Sequence, residues 1–221
     1  MNYLPKKWLT SFLKAFFDLL YHQFAWAYDI VSRVVSLGMW NKWIRSIVPE
    51  LKGPRILELG HGPGHLQIAL LKEGREVTGL DISRQMARIS AKRIRKTGLS
   101  PQLVNCRAQN LPFPDNSFHQ VAATFPTEYI IAKETIRESH RVLIPGGKLI
   151  IISIAWITGK NIFHKTASWL FKVTGQAGDS DENTYARLVA LLEEEGFNPE
   201  LEFRELTNSR LLIVRGIKEA K

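Results

Sequence analysis

The stretch that decides the fold is Ile-Leu-Glu-Leu-Gly-His-Gly-Pro-Gly-His-Leu, residues 56–66. It begins as a short apolar run typical of a buried strand and continues into apolar residues at helical spacing. Gly60, Gly62 and Gly64 lie between the two. A loop without side chains lets the backbone approach a ligand closely, and the next helix presents unpaired N–H groups at its start. The stretch therefore predicts a strand, a ligand-binding glycine loop and a helix.

A second feature is the carboxylate that ends the next predicted strand, residues 76–81. Asp81 follows Gly60 by about 20 residues, the interval at which an acid reaches the ribose hydroxyls of a nucleotide. An ionised carboxylate accepts hydrogen bonds and donates none, which suits hydroxyl groups. The alternative is that Asp81 caps the helix predicted over residues 83–96. The loop and the acid together favour a nucleotide-like cofactor.

Beyond Pro54 the chain alternates strands and helices, the pattern of a parallel sheet covered on both faces. Strands are predicted over residues 55–59, 76–81, 103–107, 120–124 and 148–154, and helices over residues 66–73, 83–96 and 132–141. Pro145-Gly146-Gly147 predicts a turn before the last of these strands. A helix from about residue 181 to Gly196 and strands over 200–206 and 211–217 follow, and the short connection permits only an antiparallel pair.

Four motifs resemble those of the class I S-adenosylmethionine-dependent methyltransferases, of the type that includes the ubiquinone and menaquinone biosynthesis enzymes. They are ILELGHGPGHL, VTGLDIS, LPFPDNSF and HRVLIPGGKLII. The resemblance implies an α/β fold with a Rossmann-like, mostly parallel seven-stranded sheet of order 3-2-1-4-5-7-6. It also implies an antiparallel C-terminal hairpin and an N-terminal helical extension. Residues 1–50 would then be a helical lid and residues 51–221 the methyltransferase domain.

The resemblance also assigns roles in binding S-adenosylmethionine. Glu58 would face the methionine end, Asp81 would hold the ribose, and Ala108 would offer its N–H to the adenine. Arg107 stands where the family carries an acid, so adenine recognition either shifts to neighbouring groups or is weaker than usual. The predicted cofactor-binding residues are Glu58, Gly60, His61, Gly62, Gly64, Asp81, Ile82, Met86, Arg107, Ala108, Gln109 and Phe125.

Methyl transfer from a sulfonium needs in-line approach and exclusion of water more than acid or base groups, so a sparse catalytic site is expected. Tyr28 resembles part of a helical lid motif, and Glu128 and Tyr129 follow the fourth predicted strand. These three are the catalytic candidates. Phe125 and Tyr129 are more often packing residues than ligands, and a helix cap explains Glu128 equally well. No His, Asp or Glu cluster has metal-ligand spacing, so no metal is predicted.

Three other functions stay open from the sequence. An NAD(P)-dependent oxidoreductase is the first, but a G-x-G-x-x-G loop begun at Gly60 requires glycine where His65 stands. The second is a protein that binds S-adenosylmethionine without turnover. The third is an RNA methyltransferase, although residues 124–127 are unlike the Asn-Pro-Pro-aromatic motif of enzymes that methylate base amines.

Charge and amphipathic pattern bear on the partners. The net charge is +9, and Arg84, Arg88, Lys92 and Arg95 form a basic helix stripe that either meets phosphates or is a solvated face. Residues 1–20 combine Trp and Phe with lysines, which fits a lid or peripheral membrane contact. The single cysteine, Cys106, fits a reducing cytoplasm. We therefore expect a cytoplasmic enzyme with a small or lipophilic acceptor, at the membrane surface if the N-terminal helix meets lipid.

Overall fold

The computed structural model describes residues 32, 33, 36–159 and 182–220. Tyr28 and the amphipathic segment 1–20 lie outside these described residues, so the predicted lid and its membrane contact stay predictions. Within the described ranges, no helix combines the length and the apolar character needed to cross a membrane.

The chain alternates strands and helices as the apolar pattern predicts. The helices are α1 (Trp40–Arg45), α2 (His65–Lys72), α3 (Arg84–Arg95), α4 (Lys133–Val142) and α5 (Glu182–Glu194), with 3-10 turns at Val48–Glu50 and Glu128–Ile131. The strands are β1 (Arg55–Leu59), β2 (Glu76–Leu80), β3 (Leu103–Val104), β4 (Phe118–Thr124), β5 (Leu143–Ile157), β6 (Phe197–Leu206) and β7 (Ser209–Lys218).

The seven strands form one sheet of order β3-β2-β1-β4-β5-β7-β6. The strands β1 to β5 pair in parallel, whereas β7 is antiparallel to both β5 and β6. The order, the fold class and the C-terminal hairpin predicted from the sequence are thus confirmed. Because parallel strands end at the same edge, the loops after β1, β2 and β4 come together there.

β1 has its predicted bounds, β2, β4, β6 and β7 begin or end one to three residues away from theirs, and β3 and β5 differ in ways that bear on the site. β3 contains only Leu103 and Val104, so Arg107 lies beyond it in a connecting segment. β5 begins at Leu143, because the proline and glycines expected to form a turn instead lie inside the strand as an irregularity in its pairing with β4. Gly146 has a φ of 76°, a left-handed backbone that lets one strand absorb the extra residues without ending.

The core lies on both faces of the sheet. Ile56 packs into the layer beneath α1 and α2, whereas its neighbour Leu57 packs into the opposite layer with α4 and α5. This alternation follows from the two-residue repeat of a strand. Glu58 therefore shares a face with Ile56, on the side of α2.

The segment before β1 is attached to the C-terminal hairpin. Trp43 of α1 is fully buried, and its indole N–H donates to Ser209 Oγ at 2.8 Å. Glu50 accepts from the guanidinium groups of Arg204 at 2.6 Å and Arg215 at 2.7 Å. Residues near position 50 thus pack as part of the sheet layer, and the predicted boundary between a lid and a catalytic domain stays a prediction.

Candidate functional site

The glycine loop joins β1 to α2 at the carboxyl edge of the sheet. Its glycines all have positive φ, 66° at Gly60, 49° at Gly62 and 84° at Gly64. A Cβ on Gly60 would lie 2.5 Å from Tyr129 Oη, and one on Gly64 would overlap the hydroxyl of Ser90. A Cβ on Gly62 would meet no described atom within 4 Å. Gly62 is therefore the point of the loop where bare backbone borders open space.

Backbone hydrogen bonds hold this loop against the end of β2. The amides of Gly60 and His61 both donate to Leu80 O, at 2.7 Å and 3.0 Å. The amide of Gly62 donates to Asp81 Oδ2 at 2.9 Å. The loop conformation is thus fixed by the strand that also carries the predicted ribose-binding acid.

Asp81 is 1% exposed and connects the glycine loop to the start of α3. Its Oδ2 accepts from Gly62 N, and its Oδ1 accepts from Ser83 N at 2.8 Å. The helix cap itself is Ser83, whose hydroxyl accepts from the amide of Met86. Asn105 donates to Asp81 O and so holds the next connection against the same turn. An ionised carboxylate accepts hydrogen bonds and donates none, which suits the hydroxyl groups of a ribose.

Glu58 is buried behind the loop, 1% exposed, and accepts from Gln67 Nε2 at 2.7 Å. Burial, together with the negative charge of Asp81, raises the pKa of Glu58 to about 8, although the Gln67 bond opposes the shift. Gln67 Oε1 is buried without a hydrogen-bond partner in the described part of the chain. A buried acid of raised pKa beside a second acid favours a cationic ligand.

We expect the contribution of Glu58 to the free energy of unfolding to fall as the pH rises from 4.5 to 8, because folded Glu58 binds a proton that the unfolded chain has released. Glu58→Gln removes this group, so the stability of the variant relative to the parent should rise across that window by on the order of a few kcal/mol. Urea unfolding at several pH values measures the effect. Glu76→Gln, at an exposed position on β2, is the control. If the difference in unfolding free energy between Glu58→Gln and the parent does not change with pH, the raised pKa assigned to Glu58 is wrong.

His61 is buried in the same loop and its Nδ1 donates to Gly62 O at 2.7 Å. Because a carbonyl oxygen only accepts, Nδ1 carries the proton and Nε2 is a bare acceptor. Burial lowers the pKa of His61, which keeps the ring neutral. Nε2 has no hydrogen-bond partner among the described residues. The loop therefore contains a buried acceptor in addition to its glycine backbone.

Tyr129 and Glu128, two of the catalytic candidates, occupy the 3-10 turn after β4. The Tyr129 hydroxyl donates to Leu59 O at 3.1 Å and lies under Gly60. Burial and the charges of Asp81 and Glu58 raise the pKa of Tyr129, so the hydroxyl stays protonated. Glu128 is exposed at the start of the turn. The geometry places Tyr129 beneath the loop as a support, and both residues stay predictions as catalytic groups.

Phe125 also follows β4 and has a φ of 50°, a left-handed backbone that is uncommon outside glycine. Its ring lies 4.6 Å from the Trp40 ring and 5.8 Å from the Trp43 ring, centroid to centroid. Its amide donates to Ile152 O at 2.8 Å. Strained residues of this kind persist where packing holds them, and they concentrate at functional sites. α1 thus brings two tryptophans to the carboxyl edge of β4.

The residues predicted to contact the adenine differ in their exposure to solvent. Ile82 is 52% exposed directly after Asp81, whereas Met86 is fully buried on α3. Arg107 is exposed, and Ala108 beside it is buried. Gln109 is half-buried in the same turn. In the described ranges, no three His, Cys, Asp or Glu side chains are grouped to hold a metal ion.

Sequence reasoning missed three of these contacts. Gln67 lies on the buried face of α2 among apolar residues, and this polar residue in an apolar face is a signal that could have indicated a buried partner. Ser90 beneath Gly64 and Trp40 beside Phe125 have no comparable local signal, because their partners are far away in the chain.

The residues present fit an S-adenosylmethionine molecule. A sulfonium with an α-ammonium group is cationic, and two buried carboxyl groups, Glu58 and Asp81, lie beside the loop. Gly62 borders open space where a Cβ would stand, and exposed Ile82 offers an apolar surface next to the acid.

Comparisons with known proteins agree with this geometry. Residues 57–151 match the family model described as "Methyltransferase domain". The chain is 30% identical over 206 residues to the demethylmenaquinone methyltransferase of Thermotoga maritima, covering 83% of this chain and 88% of the relative. It is 29% identical over 225 residues to the ubiquinone/menaquinone biosynthesis C-methyltransferase of Pseudomonas entomophila, covering 90% and 87%.

The fold is also similar to that of a crystal structure of a Methanococcus maripaludis protein assigned to the S-adenosylmethionine-dependent methyltransferases. The TM-score is 0.66 at 23% identity, with 89% of this chain and 92% of that chain covered. The chain therefore belongs to the class I S-adenosylmethionine-dependent methyltransferases, enzymes whose cofactor is S-adenosylmethionine.

Proposed function

We propose that the enzyme methylates a ring carbon of a lipophilic, quinone-type acceptor. The observation that carries this proposal is a pair of partly buried aromatic rings at the carboxyl edge of β4, where the centroid of the Phe125 ring lies 4.6 Å from that of Trp40. Flat apolar rings pack well against a flat apolar substrate. The names of the two relatives, demethylmenaquinone methyltransferase in Thermotoga maritima and ubiquinone/menaquinone biosynthesis C-methyltransferase in Pseudomonas entomophila, support the same acceptor class.

We assign the cofactor to the glycine loop and the two acids beside it. The Asp81 carboxylate accepts hydrogen bonds from the ribose hydroxyls, and Ile82 covers one face of the adenine. Glu58 lies toward the methionine end, where a positive charge stabilises its ionised form. S-adenosylmethionine, when bound, supplies a methyl group on a positively charged sulfur.

The chain's own residues then act by positioning and by excluding water. Burial lowers the pKa of His61, which makes its ring a weaker base, and the Tyr129 hydroxyl is held by Leu59 O, so neither is arranged to remove a proton from an acceptor. An electron-rich ring carbon of a reduced quinone needs no such base before it attacks, and the proton that this carbon loses on methylation is released to solvent. Phe125 and Trp40 hold the ring in line and keep water away, which are the contributions methyl transfer requires.

Gly62→Ala tests whether the cofactor lies against the bare backbone of the glycine loop. Its Cβ meets no described atom, so we expect stability to fall only by the backbone cost, about 1–2 kcal/mol. The added methyl occupies the space assigned to the cofactor, and affinity for S-adenosylhomocysteine should fall at least about tenfold, or 1.4 kcal/mol. Isothermal titration calorimetry measures the affinity. The matched control is Gly74→Ala, whose φ is 73° and whose Cβ also meets no described atom within 4 Å. Equal affinity in both variants would remove Gly62 from the site.

Methyl transfer from labelled S-adenosylmethionine tests the acceptor. The enzyme in detergent micelles is offered a prenylated demethyl-naphthoquinol, a water-soluble primary amine, and RNA in separate reactions. We expect label in the quinol alone, on a ring carbon identified by mass spectrometry. Label in the amine or in RNA, with none in the quinol, would overturn the proposal.

A further inference from the structure

The positive charge of the chain is concentrated in one segment. Residues 82–114 contain seven Lys or Arg residues and no Asp or Glu, and so contribute most of the net charge of +9. This segment begins at the end of β2, forms α3 and continues through β3 at the edge of the sheet. Its basic residues are Arg84, Arg88, Lys92, Arg93, Arg95, Lys96 and Arg107.

α3 presents these charges as a single stripe, which we call the α3 cationic face: Arg84, Arg88, Lys92 and Arg95. All four are exposed, and they follow one side of the helix over about 16 Å. The opposite side of α3 is buried through Met86, Ser90 and Ile94. Within the described part of the chain, Arg88, Lys92 and Arg95 form no ion pair with a carboxylate.

An open, partly apolar groove of about 370 Å³ runs beside this face. Ala87, Ala91, Pro101 and Leu103 line it, with Arg88 and Arg95 at its sides. Cations spread along a convex helix do not converge on one small anion. They match a flat array of phosphates, and the adjoining apolar groove matches the glycerol and acyl region beneath such phosphates.

We propose that the α3 cationic face docks the enzyme on an anionic phospholipid bilayer. Each Lys or Arg near such a surface adds to the attraction, and four on one stripe act together. Nucleic acid fits less well, because single-stranded binding relies on aromatic side chains for base stacking. The one aromatic residue of the segment, Phe113, packs edge-on against Phe118 at 5.0 Å. This inference goes beyond the proposed acceptor and does not depend on it.

Co-sedimentation of the full chain with vesicles tests the proposal. Vesicles contain phosphatidylcholine alone or phosphatidylcholine with an equal amount of phosphatidylglycerol, and neither holds a methyl acceptor. The variant Arg88→Gln/Lys92→Gln/Arg95→Gln removes three charges, and glutamine, a good helix former, keeps the helix intact. The control Lys52→Gln/Arg55→Gln/Lys148→Gln removes three exposed charges near the amino ends of β1 and β5.

We expect binding to the anionic vesicles only, a fall of at least about tenfold in the partition coefficient for the α3 variant, and a change below about twofold for the control. Urea midpoints establish that both variants fold. Equal loss in the two variants would mean that net charge alone drives binding, and an unaltered α3 variant would mean that another surface binds; either result overturns the proposal. So does binding of an RNA oligonucleotide, followed by fluorescence anisotropy, that exceeds vesicle binding and is lost in the α3 variant. Methyl transfer in micelles is scored separately, so failure of docking leaves the acceptor assignment intact.

Discussion

Gly60→Ala is expected to destabilise the folded enzyme by about 2–5 kcal/mol. An alanine at the φ of 66° found there costs about 1–2 kcal/mol, because its Cβ crowds the backbone in the left-handed region. The methyl group would also stand 2.5 Å from Tyr129 Oη, and overpacking of this kind costs about 1–3 kcal/mol. Urea unfolding measures the sum as a shift of the transition midpoint.

Two further variants separate the backbone cost from the steric cost. Gly74→Ala places the same residue at a φ of 73°, where its Cβ meets no atom of the described ranges within 4 Å, so it should cost only the backbone part. Tyr129→Phe in the Gly60→Ala background removes the overlapping oxygen and should recover part of the steric cost. Tyr129→Phe alone loses the bond to Leu59 O, about 0.5–1.5 kcal/mol. If Gly60→Ala costs no more than Gly74→Ala, the loop does not rest on Tyr129.

The parts of the fold that the sequence predicted are those set by local chemistry. The loop at Gly60, Gly62 and Gly64 was predicted from its lack of side chains, and the left-handed backbone found there is one that glycine adopts without strain. The strands followed from short apolar runs, and the position of Asp81 followed from the end of the second such run. Each of these features is determined by residues that lie within a few positions of it in the chain.

The parts that the sequence did not predict depend on distant contacts. Tyr129 reaches Leu59 across 70 residues of chain, and nothing near Tyr129 indicates that its hydroxyl lies under the glycine loop. Pro145-Gly146-Gly147 has the composition of a turn, yet pairing with β4 keeps those residues inside β5. Tertiary pairing overrides local turn preference wherever the neighbouring strand supplies enough contacts. The contact of Trp40 and Trp43 with Phe125 was not predicted for the same reason, because these residues are far apart in the chain.

Asp81→Asn is expected to weaken both the fold and the binding of S-adenosylhomocysteine. The almost fully buried carboxylate accepts from Gly62 N at Oδ2 and from Ser83 N at Oδ1. An amide has one accepting oxygen, so one of the two backbone N–H groups would face an NH₂ group. An unsatisfied buried donor costs about 1–3 kcal/mol. Loss of the charge also weakens the hydrogen bonds proposed from the ribose, and a fall of about 10- to 150-fold in affinity corresponds to 1.5–3 kcal/mol.

Urea unfolding and calorimetric titration with S-adenosylhomocysteine distinguish the two effects of this substitution. Asp115→Asn is the matched control, because Asp115 pairs with Arg141 at an exposed position and such pairs contribute little. If Asp81 both fixes the loop and contacts the cofactor, Asp81→Asn lowers the unfolding midpoint and the affinity together, and Asp115→Asn changes neither appreciably. If Asp81→Asn lowers the midpoint but the folded variant keeps its affinity, Asp81 acts only as the link between the glycine loop and α3. The ribose must then be held by another group at this edge of the sheet.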